Sequence, residues 1–119
     1  MYRVVVETSF SAIHRVRFAD GSVEPAHGHD WKVCAHFARL ELDENGFVVD
    51  FELALKVLKT VAGELHHQDL NAHAALNGKN PSAENIARYF YEQIREKGLE
   101  TIRAVHITEA PGCTAVYEV

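Results

Sequence analysis

A chain of 119 residues with 47% apolar and 24% charged side chains has the makeup of one globular domain, 1–119, without disulfide staples. A net charge of -5 argues against a nucleic-acid partner, and Cys34 and Cys113 have neither zinc-ribbon nor redox spacing. The opening Met1-Tyr2-Arg3-Val4-Val5 is not the long apolar run of a signal peptide or membrane span, so a cytoplasmic protein with no membrane partner is expected.

In chain order, residues 2–10 are β-branched and aromatic and predict a strand. Residues 15–26 carry Asp20-Gly21 and Pro25 and predict a loop. A second strand is expected from about His29 to Leu42, then a turn at Asp43-Glu44-Asn45-Gly46 and a short strand Phe47-Val48-Val49. Phe51, Leu55, Leu58, Ala62 and Leu65 lay one apolar stripe down a helix that Asp50 can cap. A second helix starts at Asn80 as cap with Pro81 in its first turn, carries Ile86, Phe90 and Ile94, and stops at Gly98. Residues 102–109 and 113–119 flank Pro111-Gly112 as a hairpin. Strands, two helices, then strands predict an α+β fold: an antiparallel sheet with two helices on one face. Strand two shows Trp31, Val33 and Phe37 on one side and Cys34, Ala38 and Leu40 on the other, which suggests that other subunits cover the second face.

The chain contains eight histidines, and three are spaced for chemistry. His27 and His29, separated by Gly28, point to the same side of an extended segment. His14 on a neighbouring strand would complete three nitrogens, the protein share of a catalytic zinc site with one open position. Read alone, the pattern also fits three unrelated surface histidines.

Taken together, Phe10-Ser11-Ala12-Ile13-His14 and His27-Gly28-His29-Asp30-Trp31-Lys32-Val33 resemble the zinc signature of the 6-pyruvoyl-tetrahydropterin synthase family. That family also contains 6-carboxy-tetrahydropterin synthases. Val49-Asp50-Phe51, Leu65 and His67 with Leu70-Asn71, Asn80-Pro81 with Glu84-Asn85, and Thr108-Glu109 extend the resemblance over essentially the whole chain. The resemblance implies the tunnelling fold, in which protomers close their sheets into a barrel and stack as homohexamers with sites at subunit interfaces. It implies that His14, His27 and His29 hold Zn2+, that Glu109 anchors a pterin ring, and that His67 moves protons. The implied substrate is 7,8-dihydroneopterin triphosphate. A carboxylate such as Glu109 suits the ring role, because it can accept two parallel N–H bonds from a 2-aminopyrimidinone edge. Without the resemblance Glu109 reads as a solvated strand-end charge.

The departures from the family pattern are informative. The position of the family's catalytic cysteine is Val23, which can supply no thiolate. Glu24 follows it, three residues before His27, and resembles a branch in which glutamate replaces cysteine and the product is 6-hydroxymethyl-7,8-dihydropterin. Glu24 is then the expected base of a retro-aldol cleavage, its other reading being a solvated loop charge. The family's aspartate before the catalytic histidine is here His66, which supplies no negative charge to orient His67; Asp69 could reach back if the helix ends by Gln68. The alternatives are therefore 6-carboxy-tetrahydropterin or 6-pyruvoyl-tetrahydropterin synthase-like activity, or pterin binding without turnover. His36 and His106 have the wrong strand parity for the site, His73 sits in a loop, and Cys34 reads as a small core residue. Arg15, Arg17 and Lys32 flank the histidines and could attract phosphate or serve only as surface charge.

Overall fold

The computed structural model describes residues 1–76 and 78–119. It contains β1 (Tyr2–His14), β2 (His27–Arg39), α1 (Phe51–Leu65), α2 (Ala83–Glu96), β3 (Ile102–Ala110) and β4 (Cys113–Glu118), with one 3-10 turn, Ala74–Leu76, between the helices. The strands form one sheet in the order β1-β2-β3-β4, every pair antiparallel. α1 packs on β1, and α2 on β3 and β4. The expected α+β layering is what the chain adopts. Among the described residues no helix is long and apolar enough to cross a membrane.

Strand alternation decides which side chains meet the helices. Val6, Phe10 and Ala12 of β1, Trp31, Val33, Ala35 and Phe37 of β2, and Val105 and Ile107 of β3 form the buried face. Ala54, Leu58, Val61 and Leu65 of α1 and Ile86, Phe90 and Ile94 of α2 cover it. Phe10 stacks between Trp31 and Phe90, with centroids 6.0 and 5.7 Å away. Truncating a buried aromatic in such a stack costs about 3–5 kcal/mol. This packing matters for function because the histidine-bearing ends of β1 and β2 continue the same face.

Several expectations need correction. β1 runs on to His14, beyond the expected end at Phe10, because its partner strand starts at His27 and pairs with it throughout. Residues 47–49 form no strand. Asp43 accepts from the N–H groups of Asn45 and Phe47 and donates its own N–H to the Phe47 carbonyl, which folds the segment into a loop. Phe51 is 62% exposed and leaves the α1 stripe, whose buried face begins at Ala54. The cap of α2 is Ser82, whose hydroxyl accepts from Asn85 N–H; the Asn80 side chain is committed to Arg17 instead. Gly98 does end α2, in the left-handed conformation at φ +96°.

The second sheet face is mixed, with exposed Val5, Ile13 and Val116 among polar groups. It carries Arg3, Glu7, Lys32, His36 and His106, and Cys34 lies half-exposed there, donating to Glu7 Oε2 at 3.4 Å. Burial and the Glu7 carboxylate push its thiol upward, so it is a surface thiol held protonated rather than a core residue. Ala38, opposite Arg3 and beside an irregularity in the β2–β3 register, is buried but stands outside the main core cluster, and Leu40 lies beyond the strand, 75% exposed.

Candidate metal centre

The register of β1 against β2 places His14 directly opposite His27, with His29 two residues further along on the same face. The ring nitrogens of the three lie within 4.8 Å of one another. Trp31, edge-on to His14 at 4.8 Å, closes the inner side of the group. Its indole N–H donates to the Ala12 carbonyl at 3.2 Å, which ties the wall to β1.

The tautomers follow from hydrogen bonds. His14 Nδ1 lies 2.8 Å from the Pro81 carbonyl and His27 Nδ1 2.9 Å from the Pro25 carbonyl. A carbonyl only accepts, so each Nδ1 carries a proton, and in the neutral ring Nε2 is the nitrogen left to ligate. The two Nε2 atoms face each other at 3.1 Å. His29 Nε2 is buried and, among the described residues, has no hydrogen-bond partner. Burial lowers the His29 pKa despite the Glu109 carboxylate nearby, which favours the neutral ring that a metal requires. Three lone pairs aimed at one point, two with their far nitrogens tied to backbone carbonyls, fit a divalent cation with nitrogen preference.

Two carboxylates border the trio. Glu24 Oε1 lies 3.6 Å from His27 Nε2 and 3.8 Å from His14 Nε2. The same oxygen accepts from Val16 N–H at 2.9 Å, and Glu24 N–H donates to the Val16 carbonyl, so the loop is pinned at this residue. Glu109, near the end of β3, has Oε1 3.0 Å from His14 Nε2 and 3.7 Å from His29 Nε2. Both carboxylates are thus brought to the histidines.

His67 is placed differently. It sits just past the C-cap of α1 in the left-handed region, φ +59°, and stacks on His66 at 3.6 Å between centroids. His66 Nδ1 accepts from Ser11 N–H at 3.1 Å, and His67 N–H donates to the Ser11 carbonyl at 2.6 Å. His67 lines a cleft of about 370 Å³ with Ser11, Asp30 and Asp69, and His29 is the member of the trio that reaches this cleft. Among the described residues no hydrogen bond or ion pair joins His67 to the trio. Asp69 does not reach back to it; its Oδ1 accepts from Asn71 N–H. His36 and His106 stack on the other sheet face at 4.1 Å, and the His73 ring bonds the Glu64 carbonyl and the Ala75 N–H. The carbonyls of Pro25 and Pro81 escaped the sequence reading, because a side-chain motif carries no sign of a backbone acceptor.

Comparison with known proteins fits this geometry. The family model described as 6-pyruvoyl tetrahydropterin synthase matches residues 3–119. The chain belongs to that family. A dihydroneopterin monophosphate aldolase of Pyrococcus furiosus is 34% identical over 94 residues, covering 79% of this chain and 75% of the relative. The 6-carboxy-5,6,7,8-tetrahydropterin synthase of Bacillus subtilis is 29% identical over 117 residues, covering 90% of this chain and 78% of the relative. The solved 6-pyruvoyl tetrahydropterin synthase of Caenorhabditis elegans superposes with a TM-score of 0.83 at 24% identity, covering 100% of this chain and 97% of the other, and shows the shared tunnelling fold. These relatives are pterin enzymes, which supports a pterin-processing lyase activity for the family member described here.

Proposed function

We propose that the chain is a zinc-dependent lyase acting on a phosphorylated 7,8-dihydroneopterin, the triphosphate first among them, and releasing 6-hydroxymethyl-7,8-dihydropterin by retro-aldol cleavage. The observation that carries this reading is the Glu24 carboxylate beside the trio, 3.6 Å from His27 Nε2, in a chain whose preceding residue is a valine. The Pyrococcus relative, named an aldolase, supports the same reaction type, and its monophosphate substrate brings the shorter phosphate into the same test. His14, His27 and His29 would hold the ion, which when bound polarises the vicinal hydroxyls of the substrate side chain.

The remaining steps belong to protein groups. Glu24 takes the proton of the C2′ hydroxyl, with Val16 N–H fixing which oxygen it presents. The C1′–C2′ bond breaks, its electron pair enters the C6–N5 unit of the ring, and the phosphorylated two-carbon aldehyde leaves. C1′ then needs a proton, which His67 supplies. Glu109 takes the 2-aminopyrimidinone edge, and this role requires its carboxylate to turn from the trio toward the substrate. The position of His67 at a separate cleft suits an assembly in which neighbouring protomers complete one another's sites. β1 and β4 are the sheet edges; residues 66–70 cover β1 at Ser11 and Ile13, which leaves its N-terminal stretch and β4 as the edges a hexamer would pair in closing a barrel.

Mass spectrometry of zinc-loaded protein incubated with dihydroneopterin triphosphate and monophosphate tests the proposal. Hydroxymethyl-dihydropterin is the expected product. A carboxy- or pyruvoyl-tetrahydropterin product would replace this reading with the corresponding synthase, and tightly bound unchanged substrate would replace it with a non-catalytic pterin binder.

A further inference from the structure

The strand that carries His14 stays hydrogen-bonded on one edge well past the end of β1. The Ser11 carbonyl accepts from His67 N–H, Ile13 N–H donates to the Gln68 carbonyl at 3.1 Å, and the Ile13 carbonyl accepts from Leu70 N–H at 2.9 Å. At the next two odd positions the partners are side chains. Asn71 Oδ1 accepts from Arg15 N–H at 2.7 Å while its Nδ2 donates to the Arg15 carbonyl at 2.8 Å. Asn80 treats Arg17 in the same way, at 3.0 Å and 3.0 Å. A carboxamide offers one donor and one acceptor side by side, so each asparagine stands in for a peptide of a neighbouring strand.

The two asparagines differ in their next residue. Asn80 precedes Pro81, whose carbonyl accepts from Nδ1 of His14, a residue only 1% exposed. The Asn80 carbonyl itself accepts from Asn85 Nδ2 at 2.8 Å in the first turn of α2, and from Ser82 N–H at 2.8 Å. The proline ring fixes φ of Pro81, and the Ser82 N–H bond back to the Asn80 carbonyl closes over Pro81 and fixes its ψ, so a held Asn80 leaves the Pro81 carbonyl little freedom of aim. We infer that Asn80 is a positioning residue for the metal centre: its clamp on Arg17 holds the Pro81 carbonyl against His14 Nδ1, and so sets the aim of His14 Nε2. This rests on the metal reading of the trio.

Cobalt(II) titration of the purified, chelator-stripped chain tests the inference, read by visible absorption and by thermal unfolding with and without the ion. N80A should weaken Co2+ binding by about ten- to hundred-fold, the range for residues behind a metal ligand, and change the intensity of the Co2+ bands. The stability gained from the ion should fall more than the stability of the stripped protein, which a merely structural residue would not produce. N85A, which removes one support of Asn80, should move the same quantities in the same direction by less. Wild-type affinity and spectrum in N80A overturn the role; if N80A does not fold, an unchanged affinity and spectrum in N85A overturn it. An unmodified chain that binds no Co2+ overturns the metal reading itself, an outcome distinct from a failure of the variants alone.

Discussion

The sheet carries two groups of cross-strand histidines, and they behave in opposite ways. His14, His27 and His29 lie on the helix-covered face, two of them with Nδ1 tied to a backbone carbonyl, and all three point nitrogens at one spot. His36 and His106 lie on the open face and stack flat at 4.1 Å, with the Arg3 guanidinium 3.4 Å from His36 Nδ1. Residue type is the same in both, although His14 stands directly opposite His27 while His36 and His106 are diagonal neighbours across β2 and β3. What differs is the side of the pleat and the acceptors behind the rings. A histidine pair becomes a ligand set when something fixes its far nitrogens.

The sharpest way to break that contrast is to delete one ring from each group. H29A should lose metal affinity by more than about hundred-fold, beyond what changes behind the ligands produce, and lose turnover with it. H36A should keep metal content and turnover within a factor of about two, as distant surface changes do. Metal analysis and product formation read both, and chelation of the wild type should mimic H29A. Next in size, E24Q should cut turnover by about 10²–10⁴-fold with the metal content intact, since a general base contributes about that much. A fall in metal content in E24Q would move Glu24 from base to ligand. E109Q comes third. Loss of one charge-assisted bond, about 1.5–3 kcal/mol, should raise KM by about ten- to hundred-fold at unchanged kcat if the ring is its partner.

The smallest effect concerns the open face. Burial, then His106, then Arg3 hold the His36 pKa below its ordinary value of 6.5. The unfolded chain therefore binds the proton more readily, and stability is complete above 6.5 and falls as the pH drops below it. H36Q should show a shallower loss of unfolding midpoint than wild type between about pH 7.5 and pH 5.5, measured with metal removed. Parallel curves would mean that the stacked pair carries no proton linkage.

The trio was legible because strand parity is a strict period of two, and His14 needed only the β1–β2 register to face His27. The helices were legible from their stripes, yet their ends were not. Nothing in the sequence tells that Asn80 spends its carboxamide on Arg17, leaving the cap to Ser82. Phe47-Val48-Val49 has strand composition, but Asp43 captures the backbone at Asn45 and Phe47 before a strand can extend. Glu24 and Glu109 were found by resemblance. Their distances to the imidazoles depend on a pinned loop and on β3, which pairs with β2 from the far side of the sheet.

The left-handed backbone at His67 sets a conflict for anyone engineering this chain. A side chain held at φ +59° costs about 1–2 kcal/mol that glycine would avoid. Selection for heat resistance would thus push position 67 toward glycine or asparagine, and the hardiest variants would be those that had discarded the imidazole proposed as proton donor.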